Sequence, residues 1–155
     1  MSLATFLLFL FVLNLSIALG AGMYETRIVL PLWFSRHNNS TYTADSAMMR
    51  RIDTGRRFWG MVTTVPLTLL TLVNLGYAIA SYMPEHGWWL GAALVALLER
   101  LGTFAFFIPA AIALQAKDAL PPHRQSRLIS WWLRLNYVRN ALMLIALMLC
   151  MMVFV

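Results

Sequence analysis

Residues 58–83 read FWGMVTTVPLTLLTLVNLGYAIASYM, a run of 26 residues without a charged side chain. A helix of about 20 mostly apolar residues is long enough to cross the ~30 Å hydrocarbon layer of a bilayer. Three further segments are comparably apolar, so the sequence predicts four transmembrane helices, at residues 3–34, 58–83, 88–114 and 131–155. We therefore expect an all-α fold, a four-helix transmembrane bundle in which residues 1–155 form a single domain.

The composition agrees with a membrane protein. Of the 155 residues, 61% are apolar and only 12% are charged, which is too little polar surface for a soluble domain of this size. The net charge of +6 comes from basic residues between the apolar segments, where it indicates membrane orientation rather than binding of nucleic acid. The single cysteine, Cys150, excludes a disulfide framework, and no Cys/His cluster suggests a metal. We expect neither a metal nor a cofactor.

The distribution of basic residues predicts the orientation. Segment 35–57 contains five arginines and segment 115–130 contains one lysine and two arginines, whereas the turn 84–87 contains no lysine or arginine. Because basic loops stay in the cytoplasm, loops 35–57 and 115–130 are predicted to be cytoplasmic and both termini non-cytoplasmic, as in a bacterial inner membrane. An alternative for the first span is a cleaved signal peptide. It lacks a basic N-terminal region, however, and its apolar stretch exceeds the usual 7–15 residues.

The two cytoplasmic loops also carry local signals. Asp45 stands before a short amphipathic stretch and is predicted to cap a short interfacial helix. The pair Pro121-Pro122 is expected to stop any helix before the fourth span. Asn38 and Asn39 each begin an N-x-[ST] match, which a cytoplasmic loop would leave unglycosylated.

Ionisable side chains lie inside three of the predicted spans. Such groups are costly in the membrane and usually face the interior of the bundle. Counted from the predicted cytoplasmic ends of their spans, Glu25 and Arg139 both lie ~12 Å deep, so we expect them to pair. By the same count Glu99, which precedes Arg100, and Asn74 both lie ~24 Å deep and form a second tier.

Two interpretations of these polar residues remain open. Asn74 continues a threonine stripe on the second span, and Trp132, Asn136 and Arg139 share one face of the fourth. Facing each other, these stripes would enclose a polar pocket that opens toward the cytoplasmic half. In the other interpretation, Glu25 and Arg139 only clasp two helices together, and the threonines bond to their own backbone. Prolines within three spans are expected to permit kinks.

Short motifs along essentially the whole chain are similar to those of one family. They are AGMYE at 21–25 with Pro31 and Trp33, ER at 99–100 with TF at 103–104 and FIP at 107–109, and NY at 136–137 with RN at 139–140. In order and spacing they resemble the anthrone oxygenase-like family of small four-helix membrane proteins. A few fungal members oxidise an anthrone to an anthraquinone with dioxygen and no evident cofactor, whereas most bacterial members have no assigned activity.

The resemblance implies a pocket for a small hydrophobic molecule, aromatic or quinone-like, and a cofactor-independent oxidation. Glu99 or Glu25 would be the catalytic base and Arg139 the group that stabilises the anion. Pairing with Arg139 would make Glu25 a weaker base and favour Glu99, unless the adjacent Arg100 engages Glu99. The residues expected to bind the substrate are Tyr24, Asn74, Arg100, Phe104, Trp132, Asn136 and Tyr137.

Other functions stay open. Besides membrane lipid, a second copy of the chain or a partner membrane subunit is an expected partner. The alternative to a ligand-binding protein is a non-catalytic accessory or scaffold subunit, in which buried charges fix the register of the helices. A third is a small transport or proton-conducting element, a role that also uses charged groups inside the membrane.

Overall fold

The computed structural model describes residues 2–37, 41–81, 86–116 and 120–154. These residues form five helices and one short hairpin, and four of the helices are long and apolar enough to cross a membrane. The helices are α1 (Leu3–Trp33), α2 (Ser46–Ile52), α3 (Gly55–Ala80), α4 (His86–Gln115) and α5 (Pro122–Phe154). The hairpin strands are β1 (Phe34–Arg36) and β2 (Tyr42–Ala44). The all-α transmembrane bundle expected from the sequence is therefore confirmed.

The four long helices pack around an apolar core in the half of the bundle that contains both chain ends. Large side chains of α1 meet small ones of α4 and α5, and the small residues let the helix backbones approach closely. The fully buried members include Phe11, Leu15, Ala92, Ala96 and Ala146. Large apolar side chains also cover the outside of all four helices, as contact with lipid acyl chains requires.

The hairpin and α2 form a cap over the other end of the bundle, which we define as residues 34–37 and 41–54. Asp45 caps α2 as predicted, since its carboxylate accepts a hydrogen bond of 2.8 Å from the backbone N–H of Met48. The cap is tied to α4 by two side chains. Ser46 Oγ donates to the carbonyl of Leu114 at 2.7 Å, and Arg50 Nη1 donates to that of Gln115 at 2.8 Å. The hairpin itself was not predicted.

The start of α5 corrects one prediction. Pro121-Pro122 does not stop a helix but begins one, with Pro122 in the first turn of α5, well before residue 131. The first turn of a helix has no partner for its N–H groups, so a proline there loses nothing, and its fixed φ already suits the helix. The matches that begin at Asn38 and Asn39, and residues 84–85 of the turn 84–87, lie outside the described residues.

Each of α1, α3 and α4 contains a stretch of π-helix that ends two residues before a proline. The π-helical stretches are Glu25–Val29 before Pro31, Gly55–Thr64 before Pro66, and Thr103–Phe107 before Pro109. A proline has no N–H and its ring clashes with the carbonyl four residues earlier, and the wider π turn relieves both problems. At Pro66 that carbonyl belongs to Val62, and Asn14 of α1 donates to it at 3.0 Å.

Candidate functional site

A buried ion pair joins α1 to α5. Arg139 donates through Nη2 to one carboxylate oxygen of Glu25, as expected from their equal depths, and Trp59 donates through Nε1 to the other oxygen at 3.2 Å. The glutamate lies in the π-helical stretch that precedes Pro31. Both oxygens of the carboxylate therefore have partners, and three helices meet at this group.

Aromatic rings hold Arg139 from two further sides. Its guanidinium carbon lies 4.8 Å from the ring centre of Trp59 and 4.7 Å from that of Phe107, and both are cation–π distances. The sequence did not single out either ring for the site. Trp59 is not among the predicted site residues, and Phe107 occurs only in the motif FIP at 107–109. Together with Glu25, the rings fix the direction in which this charge points.

A second buried ion pair lies on α4. Arg100 donates to one carboxylate oxygen of Glu99, and Thr103 Oγ1 donates to the other at 2.8 Å. Arg100 thus engages Glu99, which was the condition under which Glu99 would lose its advantage as a base. Arg100 is also close enough to Arg139 for their charges to interact. Glu99 therefore serves to neutralise a buried arginine.

The predicted second tier, with Glu99 level with Asn74, is wrong. Trp59 and Phe107 flank the same guanidinium and so lie at one height. Asn74 lies fifteen residues from Trp59 along α3, whereas Glu99 lies only eight residues from Phe107 along α4. The heights of Asn74 and Glu99 in the bundle therefore differ by ~10 Å. Depths counted from the helix ends were misleading because those ends are not level. The end of α4 lies closer to the cap than the start of α3. Asn74 instead accepts a hydrogen bond of 3.0 Å from Trp89 Nε1 in the other half of the bundle.

A cavity of about 280 Å³ adjoins the Glu25–Arg139 pair on the side of the cap. The four long helices and the end of the cap all contribute to its wall. Its wall combines four aromatic side chains with charged and hydroxyl groups. They are Trp33, Trp59, Phe107 and Trp132, with Glu25, Asp53, Arg56, Arg100 and Arg139, and with Thr54, Thr64 and Thr103. All three π-helical stretches contribute residues to it, so the wider turns shape this cavity.

Four residues that line the cavity each carry a buried polar atom with no hydrogen-bond partner among the described residues. They are Nε1 of Trp33, Nε1 of Trp132, Nη1 of Arg100 and the hydroxyl of Thr54. A buried donor left unsatisfied costs about 1–3 kcal/mol, so such atoms are rare unless something else binds them. Three of the four groups can only donate. An occupant that presents oxygen acceptors would complement these donors.

A hydroxyl-centred cluster clasps α1 to α5 beside the ion pair. Thr26 Oγ1 donates to the carbonyl of Gly22 at 2.7 Å and accepts from the side-chain amides of Asn136 at 2.6 Å and Asn140 at 3.1 Å. Asn136 thus binds another helix and not the cavity, where it was expected to bind substrate. The structure thus has both a cavity and contacts that clasp the helices, so neither of the two open interpretations holds alone.

Of the other residues predicted to bind the ligand, two line the cavity and three do not. Arg100 and Trp132 line the cavity. Tyr24, Phe104 and Tyr137 do not, because their side chains are 61%, 48% and 65% exposed on the outside of the bundle. Each is the sequence neighbour of an inward-facing residue. Neighbouring side chains on a helix point in directions about 100° apart, so these three face outward. The sequence showed which motif they belong to but not which way they face.

Asp53 is a cavity residue that the sequence analysis missed. It ends α2 in a left-handed conformation, with φ at 43°, and this turn directs the chain into α3 at the edge of the cavity. Within the described residues no three His, Cys, Asp or Glu side chains come together as metal ligands would. No protein-family model, no curated protein and no solved structure matches the chain. The site's own geometry is therefore the basis for a function.

Proposed function

We propose that this integral membrane protein binds a small, flat, aromatic or quinone-like molecule in the cavity beside Glu25 and Arg139. The observation that carries the proposal is that three residues lining one aromatic-walled cavity, Trp33, Trp132 and Arg100, each carry an unpartnered donor. Ring-bound oxygens would accept from these donors, and the ring faces would pack against the indoles. The resemblance to anthrone oxygenase-like proteins, a few fungal members of which oxidise an anthrone to an anthraquinone, supports the same class of ligand.

The size of the cavity and the fixed position of Trp132 also support a ring ligand. An engineered cavity of about 150 Å³ holds one benzene, so 280 Å³ suits a ligand of about two rings with substituents. The Trp132 ring is held edge to face by Phe107, with 5.4 Å between ring centres, and by Phe34, with 5.9 Å. A wall that is already rigid loses little entropy when a ligand binds.

The proposal extends to oxidation of an anthrone-like substrate. Of the two glutamates considered as bases, only Glu25 lines the cavity, so Glu25 would take a proton from the acidic methylene and Arg100 would bind the resulting oxyanion. Dioxygen then oxidises the carbon: the methylene loses two hydrogens and gains one oxygen atom, and the second oxygen leaves as water. Oxygen uptake with anthrone should follow binding and should be lost in Glu25→Gln.

Binding itself can be tested with menadione and purified protein in mild detergent. We expect saturable binding by calorimetry, weakened ~3- to 10-fold in Trp132→Phe, since the ring remains but one hydrogen bond is lost. Trp131→Phe is the matched control, because Trp131 is exposed on the same helix and should leave the affinity unchanged. Absence of saturable binding, or an equal effect of both substitutions, would favour the scaffold function, which the clasp of Thr26 with Asn136 also fits.

The orientation of the protein is part of the proposal. All five arginines of 35–57 are exposed, and Arg124 and Arg127 of α5 are exposed at the same end of the bundle. The described residues at the opposite end, 2–16, 77–81, 86–95 and 143–154, include no Lys or Arg. The positive-inside rule then puts the cap in the cytoplasm and both chain ends on the non-cytoplasmic side, as in an inner membrane of bacteria.

A further inference from the structure

The cavity reaches the surface of the bundle between α3 and α4. In the half of the bundle away from the cap these helices touch directly, with Tyr77 stacked on Trp89 at 6.4 Å and Trp89 bonded to Asn74. In the half near the cap they form opposite walls of the cavity instead. Of the wall residues, Gly55 and Arg56 of α3 and Ile108 and Ile112 of α4 are also exposed. We call this opening the mouth.

The two edges of the mouth differ in polarity. Ile108 and Ile112 form an edge that lies within the membrane-spanning part of α4, and Ile112 is 65% exposed there. Arg56 forms the other edge, next to the cap, and the half-buried Asp53 and Gln115 line the cavity behind it. Arginine and aspartate belong at the headgroup level and isoleucine in the hydrocarbon. The mouth therefore lies at the boundary between headgroups and acyl chains.

Glycines keep the α3 side of the mouth open. Gly55 and Gly60 both line the cavity, and neither has a side chain that could cross the opening. The residues that carry the unpartnered donors, Trp33, Trp132 and Arg100, line the same cavity. A ligand that reaches these donors with its oxygens can therefore extend an apolar substituent past Gly60 and Ile112 into the bilayer.

We propose that the ligand is a membrane amphiphile, namely a ring bearing acceptor oxygens, as in a lipid-soluble quinone, with a hydrocarbon chain that leaves through the mouth. This inference rests on the proposed function, since it names the ligand class for the same cavity. The cavity has room for the ring but not for a long chain, because it is only about twice the size of one that holds benzene. The ring enters from the membrane, and the chain stays among the acyl chains.

The test uses a benzoquinone whose decyl chain carries a photoreactive diazirine, added to the full-length protein in liposomes. After illumination and digestion, mass spectrometry should find adducts in residues 55–64 and 108–115, and unlabelled decyl quinone should compete for them. Ile112→Trp should lower the adduct yield ~fivefold by narrowing the mouth. Leu98→Trp is the matched control, since Leu98 is also well exposed on α4 but does not line the cavity, and it should leave the yield unchanged.

The outcomes separate this inference from the proposed function. The proposal that the chain leaves through the mouth would be overturned by adducts spread evenly over the outside of α1 and α5. Equal yields in the two tryptophan variants would also overturn it. If the quinone without a chain still binds and Trp132→Phe still weakens it, the proposed function survives that result. Absence of binding by both quinones would overturn the two together.

Discussion

The buried pair of Glu25 and Arg139 makes the protein depend on both of these residues. Removing one partner leaves an uncompensated charge away from water, which costs about 3–5 kcal/mol in other proteins. We expect Arg139→Gln to lower the free energy of unfolding by about this amount, measured by denaturant titration in detergent micelles. Arg134→Gln is the control: Arg134 is exposed on the same helix, and its replacement should change stability by less than about 0.5 kcal/mol.

The double variant Glu25→Gln/Arg139→Gln shows whether the single variants lose stability because a charge is left unpaired or because packing is lost. With both charges absent no ion is stranded, so we expect the double variant to be more stable than Arg139→Gln alone. A loss equal to the sum of the two single losses would contradict the coupling. It would mean that each side chain contributes only through its own packing against Trp59 and Phe107.

Gly22 tests the close approach of α1 to α5. A methyl group at this position would overlap the side-chain amide oxygen of Asn140, which belongs to the clasp around Thr26. We expect Gly22→Ala to cost about 1–3 kcal/mol, as overpacking does elsewhere. Gly20→Ala is the matched control, because nothing lies near a methyl group there, and a helical glycine replaced by alanine is neutral or gains about 0.5–1 kcal/mol. Equal thermal stability of the two variants would contradict the close contact.

At the scale of the element, the π-helical stretches decide which side chains reach the cavity. Thr103–Phe107 precedes Pro109, and both Thr103 and Phe107 line the cavity. Pro109→Ala restores the missing N–H and removes the reason for the wide turn. We expect the stretch to tighten and turn Phe107 away from Arg139, so that the protein folds but binds menadione ~tenfold more weakly.

The control for this substitution is Pro121→Ala, at the start of α5 outside the cavity. It should leave the affinity for menadione unchanged. Unchanged affinity in Pro109→Ala would show that the π turn is held by packing and not by the proline. Circular dichroism of both variants checks that helix content is retained.

Elements whose signals lie within a few residues could be predicted from sequence. The apolar runs predicted the four long helices, and Asp45 predicted the start of α2, because length and capping are local properties. The β1–β2 hairpin had no such signal. The π stretches did have one, the proline six residues after Glu25, after Gly60 and after Thr103, but a proline inside a membrane helix usually indicates only a kink.

For the molecule as a whole, the orientation can be measured with engineered cysteines and a maleimide that does not cross membranes. We expect Ser2→Cys and Thr41→Cys to react from opposite sides of sealed vesicles, since both residues are exposed at opposite ends of the bundle. The native Cys150 is fully buried and serves as the unreactive background. Labelling of both positions from one side would contradict the arrangement of four spans.

The sequence by itself determined that the chain has four segments long and apolar enough to cross a membrane, and it suggested Arg139 as the partner of Glu25 from their equal depths. Both conclusions depend on quantities that one helix carries: the length of an apolar run, and the depth of a charge that must find a partner. Only the tertiary structure decided that Arg100 binds Glu99, that Tyr24 and Tyr137 face outward, and that unpartnered donors share one cavity. Those facts depend on how far each helix is rotated about its axis and shifted along it relative to the others. Packing among all four helices, together with the cap, sets these rotations and heights, and no single segment contains them.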